Sequence, residues 1–376
     1  MALQKERHTM RKAITLAVAL LLVTATVAYG QQEGDIPPTD LSKVGTSAAN
    51  FLKLPIGARA LALGGGGIAT VNDATALYWN PAGIGSIDRM TLAYNKADMY
   101  AGITHTMTAL VMPLGLNSRI GISYIGLNSG DIEVTTVEEP GGTGEFFEVT
   151  NMAIGLTFSQ ILTDRFTLGI TGKWVQEKIQ RAVANGFALD VGSTFNTGLL
   201  GTRLGMAILN VGPKMRLDGP DLIFDRQLDD EPGEITAGLN PQAQLSTLEY
   251  DLPLMFRMGV AIDLLGGIST FMANDMNRVT ALVDIEDAND QVARLGVSME
   301  YAWNETVYAR FGYRLRSKVS DQLGERLRDR YRELFTMGYG LGLNTMVSGY
   351  ALQLDYGMAD YGDLGTVSQL FLSLGF

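Results

Sequence analysis

Alternation with a period of two residues governs this chain. In 166–174, Phe166, Leu168, Ile170 and Trp174 fall on one side, and Thr167, Gly169, Thr171 and Lys173 on the other. Successive side chains of an extended strand point to opposite faces, so such a segment has one greasy face and one small or polar face. The pattern returns in Ile154, Leu156 and Phe158; in Phe256, Met258, Val260, Ile262 and Leu264; and in Val307, Ala309, Phe311 and Tyr313. It recurs in Phe335, Met337, Tyr339, Leu341 and Leu343, opposed by glycines at 338, 340 and 342. About fourteen such segments of about ten residues follow residue 88, each the length a tilted strand needs to cross a bilayer. The approximate spans are 89–98, 103–113, 117–127, 147–160, 166–179, 184–196, 202–211, 254–264, 277–286, 292–302, 306–315, 333–343, 346–356 and 367–376. A soluble sandwich alternates too, so periodicity alone leaves two all-β classes, a secreted domain and a membrane barrel.

The connections separate these classes. Residues 114–116, 161–165, 197–201 and 303–305 make short links, whereas 128–146, 212–253, 316–332 and 357–366 make long ones, and short and long alternate along the chain. Outer-membrane barrels have this asymmetry, with tight periplasmic turns and long outer loops, and an even strand number. The stretch 265–276 on the short side, and the brief outer links near Met99, Gln180 and Asp287, depart from it. The fold class expected is a transmembrane antiparallel β-barrel of about fourteen strands. At the C-terminus Leu370, Leu372, Leu374 and Phe376 alternate with Phe371, Ser373 and Gly375. A last strand that stops on Phe376 looks like the recognition signal of the outer-membrane insertion machinery. Tyr301, Trp303, Tyr350 and Tyr356 near segment ends fit interfacial aromatic girdles.

Residues 1–30 read as a signal peptide: Lys5, Arg7, Arg11 and Lys12 are basic, 13–28 is apolar, and Ala28 and Gly30 are the small residues before a cleavage point. The apolar run is shorter than the ~20 residues of a helical span. Residues 31–50, with Pro37 and Pro38, read as a flexible periplasmic lead-in. The division expected is 1–30 signal peptide, 31–88 lead-in and plug, and 89–376 barrel. Without residues 1–30, which hold four basic side chains and Glu6, the totals of 29 basic and 40 acidic residues fall to 25 and 39, a net charge of −14 that disfavours nucleic acid. The absence of cysteine excludes disulfides, thiolate metal sites, cysteine nucleophiles and lipidation on Cys. His105 is the lone histidine after the signal peptide and reads as structural. No catalytic motif, metal-ligand set or cofactor signature stands out, so no enzyme is expected. Asp190, Asp263, Asp284 and Asp355 fall on non-greasy faces and read as part of a hydrated polar lumen.

One segment before the barrel is neither strand nor amphipathic helix. Residues 56–87 read IGARALALGGGGIATVNDATALYWNPAGIGSI. Gly64, Gly65, Gly66 and Gly67 are free to take positive φ, Asn72 or Asp73 can cap a short helix through 74–79, and Pro81 stops it. The stretch reads as a plug, either static filling or a gate whose movement opens a path. The glycine run lacks the GK[ST] of a phosphate loop. A second candidate site is the arginine set Arg310, Arg314 and Arg316 with Arg326, Arg328, Arg330 and Arg332. Shared parity would place their guanidinium groups at an outer mouth, suited to bidentate binding of an anionic ligand or a cargo carboxylate. The alternative is a solvated helix over 317–332, since Glu325, Arg328 and Arg332 also have helical spacing.

Residues GARALALGGGGIATVNDATALYWNPAG resemble the N-terminal region of the PorV/PorQ family of outer-membrane barrels. Asn80, Pro81 and Ala82 look like the NPA element in the hatch of FadL fatty-acid transporters, the wider group of these barrels. LGMAILNVGPKMRL (204–217), LPLMFRMGVAID (252–263) and LDYGMADYGDLGTVSQLFLSLGF (354–376) are similar to later family segments. This resemblance implies an outer-membrane barrel with type IX secretion as its role. There it receives the C-terminal domains of secreted cargo and contacts other secretion components. The acidic 229–234 and the long 212–253 would be the places for a partner. The FadL likeness implies instead a transporter of small hydrophobic molecules.

Overall fold

The computed structural model describes residues 45–225, 242–267, 269, 271–291, 293–315 and 337–376. Its strands are β1 (Thr91–Asp98), β2 (Thr104–Leu114), β3 (Ser118–Asn128), β4 (Val149–Thr163), β5 (Phe166–Ile179), β6 (Ala182–Asn196) and β7 (Thr202–Val211). They continue as β8 (Met255–Leu265), β9 (Asn277–Ala288), β10 (Arg294–Trp303), β11 (Val307–Leu315), β12 (Met337–Val347), β13 (Tyr350–Asp360) and β14 (Thr366–Gly375). All fourteen form one closed antiparallel barrel. Each strand pairs with its sequence neighbour, and β1 closes the ring on β14 with Thr91 opposite Gly375 and Asp98 opposite Ser368.

Alternation decides which side faces in. Along β5 Leu168 and Ile170 are exposed, while Gly169, Thr171, Lys173 and Val175 are buried. Leu92, Tyr94, Ile122, Leu156, Phe158, Met206, Phe256, Phe311, Tyr339 and Leu372 extend this exposed apolar surface around the ring. The barrel has two unlike ends. One carries the links 114–118, 163–166, 196–202, 303–307 and 347–350, together with the longer 265–277. The other carries 128–149 and the strand ends at Val211, Met255, Leu315 and Met337, with the brief links 98–104, 179–182, 288–294 and 360–366 beside them, and small ribbons such as Met215–Arg216 paired with Glu249–Tyr250 stand there.

Two strands sit about four residues later than their sequence pattern suggests: β12 and β13 replace the expected 333–343 and 346–356. The hairpin turn falls at Ser348 and Gly349, with φ of 52° and 91°. Positive φ at both central positions matches the twist of the flanking strands. The turn expected at 344–345 has no glycine, whereas Gly349 supplies the positive φ that the second central position requires.

The ring encloses described residues that precede β1. Short elements occur at Asn50–Lys53 (3-10), α1 (Ala58–Ala62), α2 (Ala76–Trp79) and Pro81–Ser86 (3-10). Wall glycines leave room for this backbone. A Cβ on Gly312 would lie 2.1 Å from the Leu63 carbonyl carbon, one on Gly338 2.1 Å from Leu61 O, one on Gly357 2.3 Å from Ala58 O and one on Gly169 2.3 Å from the Pro81 carbonyl carbon. These glycines stand on β11, β12, β13 and β5, on different sides of the ring, so the segment lies inside it. The lumen is therefore not the hydrated space expected from the inward aspartates. All four are buried: Asp190 pairs with Lys173 at 2.8 Å, Asp263 with Arg203 at 2.6 Å and Asp355 with Arg310, while Asp284 accepts backbone N–H groups of the segment.

Candidate functional site

The seat of residues 46–88 is the candidate site, and its local structure follows from the sequence. Gly64, Gly65 and Gly67 have φ of 71°, 75° and 99°, a conformation that side chains rarely adopt. The Asp73 carboxylate accepts from Thr75 N at 2.8 Å, and the helix starts only at Ala76, two residues beyond the expected start, because this Asx turn occupies the approach. Asn80 is fully buried. Its amide donates to Ser193 O at 3.0 Å and its side-chain oxygen accepts from Ala82 N at 3.2 Å, capping the 3-10 turn that begins at Pro81. Asn80, Pro81 and Ala82 thus fasten the segment to β6 and β5.

Two sides of the wall hold the segment by different chemistry. Toward β8–β13 the contacts are ionic. Glu300 on β10 accepts from Arg59 of the segment at 2.9 Å, from Arg310 on β11 at 2.8 Å and from Arg278 on β9 at 3.1 Å. Arg310 also reaches Asp355 on β13, and Arg278 reaches Glu305 at 2.7 Å. That bond to Arg278 holds the Glu305 carboxyl, in the turn after β10, below its usual range. Asp284 accepts from Gly67 N at 2.8 Å and Ile68 N at 3.0 Å, and Arg314 Nε donates to Gly64 O at 2.6 Å. Arg257, bonded to Glu286 at 2.9 Å, lies 4.3 Å from the Trp79 ring centroid and 4.8 Å from that of Tyr78. Between Gly64, Gly65, Arg257, Asp284, Arg294 and Arg314 a cavity of about 10 Å³ remains, room for roughly one water.

Toward β1–β6 and β14 the contacts are mainly apolar, with hydrogen bonds at Ser193, Arg119 and Gln369. Phe51, Leu52, Ile56, Leu77, Ile84 and Ile87 of the segment belong to one buried cluster with Ala93, Met107, Ala109, Val111, Ile125, Ala153, Val175 and Phe371 of the wall. Met215 and Leu252, from the long 211–255 connection, complete it. The Trp79 indole N–H donates to Ile56 O at 2.6 Å, so the ring is buried without an orphan donor.

The arginine mouth expected from sequence parity takes another form. Arg310 and Arg314 do face inward, but Arg310 is bound between Glu300 and Asp355 of the wall and Arg314 holds Gly64 of the enclosed segment. Parity fixes the face of a strand and says nothing about depth or partner. Arg316, Arg326, Arg328, Arg330 and Arg332 lie outside the described residues, as does 229–234. His105 is buried on β2, opposite Ala97 and Leu127 in register. Sequence reasoning did not single out Arg59, Arg257 or Glu300. The available signal was a charged side chain, Arg59, inside a run of alanine, leucine and glycine.

No protein-family model matches the chain. No curated protein matches it. Solved structures do. The Pseudomonas putida toluene transporter TodX is 14% identical, with 85% of this chain and 96% of that one covered at a TM-score of 0.50. The CymD monoaromatic hydrocarbon channel is 12% identical, covering 85% and 97% at 0.49. A Pseudomonas aeruginosa FadL homologue is 13% identical, covering 85% and 98% at 0.45. At such identity the likeness to TodX concerns the fold alone, a closed antiparallel barrel.

Proposed function

We propose that this chain is an outer-membrane barrel that passes small hydrophobic molecules and is closed at rest by residues 46–88. The carrying observation is the two-sided seat of that segment. An ionic wall anchors it, while along β1–β6 and β14 it is held mainly by apolar contacts that a hydrophobic solute can replace, with single hydrogen bonds from Asn80 to Ser193 and from Arg119 and Gln369 to its backbone. The exposed apolar belt suits lipid, and the packed lumen suits neither a water-filled pore nor a solute that must stay hydrated. The toluene transporter named above has the same fold and supports the class of permeant. No catalytic role is assigned.

A second reading is secretion, with cargo C-terminal domains received at the outer face. It is favoured by the PorV/PorQ-like stretch 57–83 and by the length of the 211–255 connection. One experiment separates the two. A deletion strain is compared with its complemented parent for uptake of a labelled monoaromatic hydrocarbon and for its surface proteome. Transport requires slower uptake with an unchanged surface. Loss of many surface proteins sharing a C-terminal domain, with normal uptake, would overturn it in favour of secretion.

A further inference from the structure

The segment has a direction. At the long-loop end, Ala48 N donates to Asp251 O at 2.9 Å in the 211–255 connection, and Lys53 Nζ pairs with Asp290 at 2.6 Å in the 288–294 connection. Phe51 and Leu52 pack in the cluster that contains Leu252 and Met215 of the same long connection. Pro55 O accepts from Gln369 at 2.7 Å, three residues into β14 from that end. The contacts stay within three residues of that end of the strands as far as Leu63 and cross to the other end beyond it. Ala58 meets Gly357, Leu61 meets Gly338, Leu63 meets Gly312, and Asn80 meets Gly192 near the other end of β6. Ile87 O accepts from Arg119, one residue into β3 from the short link 114–118, and Phe376 N donates to Met90 O at 2.8 Å.

We infer that the segment is threaded through the barrel from the long-loop face to the short-turn face, with residues 45–55 as a lid latched in the long-loop mouth by Lys53 and Asp290. This rests on the outer-membrane reading, under which long loops face the outside and short turns the periplasm. The lead-in expected in the periplasm is thereby placed at the cell surface at least from Gly45 onward. Two consequences follow from the threading. The segment is tied at both ends, covalently to β1 inside and by the latch outside. A ligand arriving from outside meets residues 45–55 before any other part of the segment. Lys53 is 9% exposed and the Asp290 side chain 2%, so the latch lies beneath the arm's surface and its loss frees the arm rather than a solvated pair.

The absence of cysteine makes the test direct. Single cysteines are placed by Thr46→Cys and Asn50→Cys on the arm, Val137→Cys on a long loop and Leu116→Cys on a short turn; the native Val137 and Leu116 are 94% and 90% exposed. Intact cells are treated with a maleimide on a polyethylene glycol chain too large for porins, and folding is checked by heat-modifiable migration. Both arm variants should label as fully as Val137→Cys, with Leu116→Cys labelled only after the outer membrane is opened. Labelling of Val137→Cys without either arm variant would overturn the threading and leave the outer-membrane reading intact. Labelling of Leu116→Cys alone would overturn the orientation. Absence of labelling at every site until lysis would remove the outer-membrane reading and the lid with it.

Discussion

The two halves of the wall hold one segment in opposite ways. Strands β8–β13 line the lumen with Arg257, Asp284, Glu286, Glu300, Arg310, Arg314 and Asp355, whereas β1–β6 line it mainly with alanine, glycine, serine, threonine and a few larger apolar groups such as Met107 and Val175, apart from Asn95, His105, Arg119 and the Lys173–Asp190 pair. Ionic pairs buried in a low dielectric need particular geometry and resist partial displacement, since a separated partner is left as an unpaired charge. Apolar contacts have no such direction, and another apolar molecule can replace them at little cost. A segment gripped by ion pairs on one side and held mainly by packing on the other can yield along the packed side without leaving the barrel.

Breaking the grip should have the largest effect. Glu300→Ala leaves Arg59, Arg278 and Arg310 facing one another and should cost about 3–5 kcal/mol, measured by denaturant unfolding in detergent. Protease digestion should also cut the segment in this variant and spare it in the parent. On the apolar side, Met107→Ala should cost about 2 kcal/mol, at the low end for such a truncation because the segment can settle into the gap. The same variant should raise hydrocarbon uptake. If it lowers uptake instead, the seam does not lie on this side. Asn80→Ala removes the cap of the 3-10 turn and the bond to Ser193 and should cost about 1–2 kcal/mol, read by the same unfolding measurement. The smallest effect concerns Glu305. Its carboxyl is held below the usual range by Arg278, so its contribution is complete at neutral pH and is lost as pH falls through that lowered value. Glu305→Gln should therefore be less stable than the parent at neutral pH and indistinguishable from it in acid. A difference that persists in acid would show that the turn's packing matters and the charge does not.

Much of the barrel was legible because a strand's period survives in sequence whatever surrounds it. Phe166, Leu168 and Ile170 declare their face before any neighbour is known, and the alternating link lengths declare the two ends. The side-chain partners were not legible. Arg310 and Glu300 are ten residues apart, but Arg310 and Asp355 are separated by 45 and Arg59 and Glu300 by 241. Nothing local to Arg310 distinguishes a residue clasped by two carboxylates from one that lines a mouth. The glycines were half legible. Gly338 and Gly340 read as small inward residues, but the reason, the close passage of the Leu61 and Ala62 backbone, depends on a segment more than 270 residues away. The direction of the segment was hidden for the same reason: Lys53 and Asp290 acquire meaning only once they meet.

Ion conductance across a planar bilayer most directly tests whether residues 46–88 close this barrel. The full-length protein should insert without steady current, and a variant lacking residues 46–70, checked for heat-modifiable folding, should carry one. A steady current through the full-length protein, equal to that of the shortened variant, would contradict closure of the lumen by this segment.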